Sequence, residues 1–393
     1  MMHGTAWIDQ QNVLVEFCNK LTLAAAQAPI VIAIDTEFIR ETTYWPQLCL
    51  IQIATAEEVV LIDALAKGLD LFPLAHILSH PRITKVFHAA RQDIEIFWYL
   101  LQEVPAPFWD TQVAAMACGY GDSIAYSALV QDIVGCSIDK SARFTDWAKR
   151  PLTDKQIRYA AQDVLFLIPV YQNLHKRLDD LGRSQWIQEE LQDVVESVSS
   201  HNPREQIWSK IAPNGFKPKH LVVLKCLTEE RERIAMEMNV PRSRVVKDGW
   251  LIEMALQQPL SPHEFMQVRG LTSSFCQSPL ALRLIESIKG AHALPKSEWP
   301  TRSAHSSFPQ KYEGIVDILR LLLKYIAEQH HLAPKLIATR QDLEQLLLAH
   351  EQHSSLEHNL LKGWRYDLYG CHAMDIIKGN KALAWKGDQL ILV

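Results

Sequence analysis

The chain has 393 residues, 48% hydrophobic and 22% charged. That composition excludes disordered and fibrous proteins, and the length predicts about two or three domains. The net charge of -5 hides a split: residues 1–200 carry 15 Lys and Arg against 25 Asp and Glu, and the remainder carries 25 against 20. Such asymmetry suits an acidic part doing metal chemistry beside a basic part holding a polyanion, and it also suits chance surface composition. No run approaches the roughly 18 apolar residues that span a bilayer. The most apolar early stretch, Leu21 to Ile34, is broken by Gln27 and Pro29. No basic region followed by an apolar core opens the chain, so no signal peptide and no membrane partner are expected. The seven cysteines contain no CxxC pair, which argues against a zinc ribbon or disulfide framework and predicts a reduced, cytoplasmic setting.

Along the first half, strands and helices alternate. Pro29 to Asp35 is a short β-branched run typical of a buried strand. Leu48 to Thr55 and Val59 to Asp63 predict two strands, and the short turn between them favours antiparallel pairing. Lys85 to Phe87 predicts a strand feeding a helix from about Ala90 to Leu101. Trp109 to Thr111 predicts another strand, followed by helices over Gln112–Cys118 and Ser127–Val134. Thr153 and Gln156 form a capping-box pair, which predicts one long helix running to about Leu178 and ending before Gly182. The result is an α/β domain with a mixed sheet over residues 1–200.

The second half is helical. Ile207 to Ile288 has helical periodicity, with expected breaks at Pro213 to Gly215, Pro241, Gly249, Pro259 and Gly270. Leu294 to Gln310 holds three prolines and several serines and is expected to be a linker. Tyr312 to about Ile377 is helical again, and Ala382–Trp385 with Gln389–Val393 predicts a small hairpin.

Three motifs carry acids. Asp35 and Glu37 sit two apart at the end of the first buried strand, so they share a face. Two like charges there are costly unless cations neutralise them, and carboxylate oxygens suit Mg²⁺ or Mn²⁺. A solvated strand end is the plainer reading of that pair. Asp93 lies one turn into the helix after the Lys85 strand, where the helix dipole alone favours an acid. Tyr159 and Asp163 are four apart on one helix face, where a core tyrosine bonded to some acceptor is equally expected. Together they outline four carboxylates plus a tyrosine. Two divalent ions held about 3.5–4 Å apart by such a set can drive phosphodiester hydrolysis.

The order and content of these motifs resemble ribonuclease D. The matching stretches are Ile34 to Arg40 with Tyr44 to Leu48 and Leu50 to Gln52, then His88 to Asp93, then Asp139 to Ser141, Asp146-Trp147, Arg150 to Thr153 and Tyr159 to Asp163. The resemblance covers the whole first domain. It implies a ribonuclease H-like fold and a 3′→5′ exoribonuclease of the DEDDy type that releases nucleoside 5′-monophosphates. It also implies Asp35, Glu37, Asp93 and Asp163 as metal ligands and Tyr159 as the residue that positions the attacking water. The substrates implied are tRNA precursors and other small structured RNAs with a single-stranded 3′ end, acted on by a monomer. His88, Lys140 and Arg150 have weaker claims: His88 is expected to be structural, and the two cations either touch phosphates or are solvated.

Residues 203–293 resemble an HRDC domain through Leu221 to Lys225, Leu227 to Arg231, Asn239 to Arg242, Val246 to Leu251 and Val268 to Leu271. Lys217, Lys219, Arg242, Arg244 and Lys247 cluster near its loops, where basic side chains can hold phosphates without reading sequence. Residues 294–310 would link it to a second, divergent HRDC-like domain over 311–393. The histidines there (His330, His331, His350, His353, His358) lack metal-ligand spacing and are expected at the surface. Two other functions stay open on the residues alone. A DNA-directed exonuclease would use the same carboxylates, and a catalytically dead RNA-binding scaffold would keep the fold.

Overall fold

The β-branched run before Asp35 becomes the inner strand of a six-stranded sheet in the computed structural model, which describes residues 5–143, 145–199, 207–300, 308–351 and 358–393. The elements of this region are β1 (Thr5–Ile8), α1 (Gln11–Gln27), β2 (Ile30–Ile39), β3 (Gln47–Ala54), β4 (Val59–Asp63), α2 (Pro73–Leu78), β5 (Ile83–Phe87), α3 (Arg91–Leu101), β6 (Phe108–Asp110), α4 (Thr111–Ala117), α5 (Tyr126–Ile133), α6 (Asp154–Leu165), α7 (Leu167–Asp180) and α8 (Ser184–Ser199). The strand order is β1-β4-β3-β2-β5-β6. β3 and β4 pair antiparallel with Leu50 opposite Asp63, as their short link requires, while β1–β4, β2–β5 and β5–β6 are parallel. The sheet is therefore mixed, with Ile32, Ala33 and Ile34 buried in β2.

β1 and α1 were not anticipated from the sequence. The helical signal of α1 is nonetheless there, because Leu14, Phe17, Cys18, Leu21 and Ala25 recur at helical spacing and are buried. The long helix expected from Thr153 is two helices, broken at Phe166. Pro169 explains the break. Its ring would clash with the carbonyl of Leu165 in a continuous helix, whereas in the first turn of α7 its missing N–H needs no partner. The capping box at Thr153 and Gln156 does form.

Arg150 is held in an ion pair and is not a freely solvated charge. Its guanidinium grips the Asp63 carboxylate at the end of β4 through Nη2 at 2.6 Å and Nε at 2.8 Å, and also donates to the Cys49 carbonyl at 2.8 Å. A bidentate charged pair repays much of its desolvation only in such geometry. Here it fixes the chain three residues before the α6 cap, and so fixes the helix that carries Tyr159 and Asp163.

The chain divides into two compact units that do not follow chain order. One comprises Met1–Glu37, Leu48–Ser199 and Ser307–Val393, and the other Phe38–Gln47 with Ser200–Ser306. In the first unit, the C-terminal helices Glu313–Gln329 and Arg340–Glu351 and the hairpin of Leu383–Lys386 with Gln389–Leu392 follow the sheet domain. The region packs on that domain directly. Arg183 donates to the carbonyls of Ala117 and His330, both at 2.7 Å, and the Ala333 amide donates to the Met116 carbonyl at 2.9 Å. Trp186 stacks on Trp364 at 4.3 Å between centroids. Gly119 is required at this junction: its φ is +88°, and a Cβ there would meet the His331 carbonyl oxygen at 3.1 Å. His358, expected at the surface, is buried and its Nδ1 accepts the Leu360 amide, whereas His353 lies outside the described residues.

The second unit is built on the helix Pro218–Met238, whose buried face packs on Pro279–Ala293. The segment after Glu37 belongs here, with the Tyr44 hydroxyl donating to buried Glu232 at 2.9 Å and the Trp45 amide donating to Asn239 at 3.1 Å. Lys217, Lys219, Arg242, Arg244 and Lys247 are all exposed. Gly249 does not break the chain as expected, because it lies in the first turn of the helix Asp248–Gln257, where a glycine costs least. The expected linker starts packed: Trp299 leans on the core of this unit and donates to the Leu294 carbonyl, while residues 301–307 lie outside the described residues.

Candidate metal centre

Strand alternation places Asp35 and Glu37 on one face of β2, and α6 presents Asp163 to them. One carboxylate oxygen from each of the three lies within 4.8 Å of the others. Asp93 enters from the first turn of α3. It is buried, and its Oδ1 accepts a 2.5 Å hydrogen bond from Thr36, the residue between the two β2 acids. Tyr159 stands one turn before Asp163 on α6, and its hydroxyl favours the charged form of that carboxylate. Asp35, Tyr159 and Asp163 line a cleft of about 280 Å³ together with Tyr126, Lys140 and Arg143.

The acids repel one another in a poorly solvated place. Burial, then the charges of Asp93, Asp163 and Glu37, hold Asp35 well above the usual carboxylate range. Burial, then the charges of Asp163 and Asp93, push Glu37 up to about 9 against the pull of Arg143. Burial raises Asp93 and Asp163 to about 7, against the pull of Thr36 on the former and of Tyr159, Arg143 and Lys140 on the latter. Burial and the flanking carboxylates also hold the Tyr159 phenol well above its ordinary value, so near neutral pH it is a hydroxyl. An oxygen-only set of this charge and spacing fits a hard divalent cation.

This electrostatic load makes stability depend on pH. The raised values lie above the roughly 4 of an unfolded carboxylate, so between about pH 4 and 9 the metal-free folded state holds protons that the unfolded chain has released. Stability must then fall as pH rises through that window. Melting temperature in EDTA should drop between about pH 6 and pH 9, and saturating Mg²⁺ or Mn²⁺ should flatten the drop. Parallel pH profiles with and without metal would contradict the repulsion.

Sequence reasoning named the five central residues but missed their supports. Thr36, Tyr126 and Arg143 carry no local signal, since their partners come from distant elements. Asp110 had a partial one, because an acid just before a helix is a common cap and its Oδ1 does accept the Gln112 amide at 2.8 Å. His88 lines the cleft with both ring nitrogens engaged, Nδ1 2.9 Å from the Thr111 hydroxyl and Nε2 3.1 Å from the Ile124 carbonyl. Lys140 lines the cleft, whereas Arg150 is committed to Asp63.

A mixed sheet with acids converging from β2, α3 and α6 defines a nuclease of the 3′-5′ exonuclease class, and residues 5–179 match the family described as 3′-5′ exonuclease. Residues 220–281 match the HRDC domain family. Ribonuclease D of Gluconacetobacter diazotrophicus is 40% identical over 359 residues, covering 91% of this chain and 90% of the relative. Ribonuclease D of Acidiphilium cryptum is 40% identical over 98% of this chain and 96% of its own. The crystal structure of Escherichia coli RNase D, an exoribonuclease involved in structured RNA processing, superposes with a TM-score of 0.82 at 29% identity, covering 96% of this chain and 99% of that one. The chain belongs to the ribonuclease D family and is a 3′→5′ exoribonuclease. That family of exonucleases is metal-dependent, and the acidic cluster suits a metal. Its relatives and its HRDC domain point to RNA as the polymer bound. Among the described residues, no helix is long and apolar enough to cross a membrane.

Proposed function

We propose that the chain removes nucleoside 5′-monophosphates one at a time from the 3′ ends of tRNA precursors and other small structured RNAs, using two divalent cations held by Asp35, Glu37, Asp93 and Asp163. The observation that carries this reading is the convergence of three carboxylates within 4.8 Å, with Tyr159 lining the same cleft as Asp35 and Asp163. Cations held there would supply Lewis-acid stabilisation of charge on the attacked phosphate and its leaving oxygen. The protein's own residues do the rest. Tyr159 stays a hydroxyl, so it orients the attacking water and is not the base that deprotonates it. The Tyr159 hydroxyl favours the charged form of Asp163, one turn further along the same helix. Lys140 and Arg143 offer positive charge on the cleft wall. The exposed basic residues of the HRDC domain, taken as 203–293, would hold the body of the RNA, with residues 294–310 as connector and 311–393 as a second HRDC-like domain. This reading makes the protein a cytoplasmic monomer.

The test is an RNA with a labelled single-stranded 3′ end on a tRNA-like body. Labelled mononucleotide should appear from the first turnovers with Mg²⁺ or Mn²⁺ and vanish with EDTA. Release of oligonucleotides, or undiminished release in EDTA, would contradict the proposal.

A further inference from the structure

We infer that Asp110, at the end of β6, is a positioning residue for the metal centre: its buried carboxylate holds the turn that aims Asp93. This inference rests on the reading of Asp93 as a metal ligand. Asp110 is 3% exposed and lies outside the acidic cluster itself. Its Oδ1 accepts the amides of Ala89 at 2.9 Å and Gln112 at 2.8 Å, and its Oδ2 accepts the amide of Ala90 at 2.8 Å. Three backbone N–H groups on one carboxylate make charge-assisted bonds, which are stronger than neutral ones. Two of the three belong to the turn between β5 and α3. Ala90 caps α3, and Asp93 stands in that helix's first turn.

The turn needs holding. Ala89 has φ of +62°, the left-handed region that an alanine avoids and a glycine accepts. The next residue of the β6 side joins in, because Thr111 donates to the Phe87 carbonyl at 2.9 Å and meets His88 Nδ1 at 2.9 Å. The sequence Asp110-Thr111-Gln112 thus clasps Phe87 to Ala90 from the neighbouring strand, and β5 pairs β6 through Phe87 and Asp110. Released from the clasp, Ala89 relaxes toward negative φ and α3 starts in a different direction. Asp93 then loses its register with Thr36 and the β2 acids. Ala89 itself borders the catalytic cleft, so the change is felt there first.

The experiment measures Mn²⁺ binding by calorimetry on the full chain, alongside thermal melting in EDTA. Asp110→Asn keeps size but offers only one accepting oxygen. It should weaken Mn²⁺ binding by about 10-fold or more, the usual effect of losing a partner that orients a metal ligand. Asp110→Glu keeps the charge but displaces both oxygens, and it should weaken binding too; it serves alone if Asp110→Asn does not fold. Ala89→Gly in the Asp110→Asn background removes the conformational penalty and should recover much of the affinity. Adding Asp93→Asn to Asp110→Asn should cost little beyond Asp93→Asn alone, because both act through one ligand. Wild-type affinity in either Asp110 variant, or fully additive losses with Asp93→Asn, overturns the inference. Undiminished Mn²⁺ binding by Asp93→Asn alone overturns instead the ligand assignment on which it rests.

Discussion

Asp35→Ala is expected to abolish RNA hydrolysis while raising the thermal stability of the metal-free protein. The two effects share a cause. Asp35 lies at the centre of the acidic cluster and carries the repulsion of Asp93, Asp163 and Glu37 on top of its burial. Near pH 8 in EDTA the raised pKa of Asp35 costs the folded state stability that Asp35→Ala recovers, so the apo variant should melt higher than wild type. In Mg²⁺ the order should reverse, since wild type gains binding energy that the variant loses. A metal site contributes several kcal/mol of charge stabilisation to phosphoryl chemistry, and about 4 kcal/mol is already roughly 10³-fold in rate. A loss of at least about 10³-fold in kcat is therefore expected. The residues act as one unit, so Asp35→Ala combined with Asp163→Ala should be little worse than either alone. Near-native turnover in the single variant would remove Asp35 from the centre.

Tyr159→Phe should lower kcat by about 10³-fold, within the range for losing a group that positions a transferred proton or its water, and leave KM nearly unchanged. The phenyl ring is retained, so the 6.0 Å approach to Trp147 and the packing of α6 survive. Mn²⁺ affinity should also survive, because Tyr159 is not among the carboxylate ligands. The hydroxyl's withdrawal frees Asp163 of one partner that favours its charged form. The acidic limb of the pH–rate profile should then move to slightly higher pH, a shift that a purely structural role would not give. A variant with weakened RNA binding and unchanged kcat would make Tyr159 a substrate contact instead.

The central acids were legible because their relations are local. Asp35 and Glu37 share a face by strand alternation, Tyr159 and Asp163 by the helical turn, and the cap at Thr153 by a three-residue spacing. Each relation spans at most four residues, so backbone geometry fixes it before any tertiary contact exists. The motif order then supplied the family resemblance. The break at Phe166 was also written locally, in Pro169, but helical periodicity on both sides masked it.

What the sequence could not determine are pairings between distant elements. Arg150 meets Asp63 across 87 residues, and Asp110 meets Ala89 and Ala90 across 21 and 20. Such pairs depend on which strands neighbour which and in what register, and a charged residue's own neighbours in sequence carry no record of that. The C-terminal region shows the same limit. Helical periodicity gives its helices, but long-range contacts, the Trp186–Trp364 stack, the Arg183 bonds and the Ala333–Met116 backbone bond, put residues 307–393 in the same compact unit as the sheet. The sequence by itself thus determined which carboxylates are candidates for the metal centre and the chemistry such a set suits. The tertiary structure decided what holds them in register, because burial and long-range hydrogen bonds exist only once the chain has closed on itself.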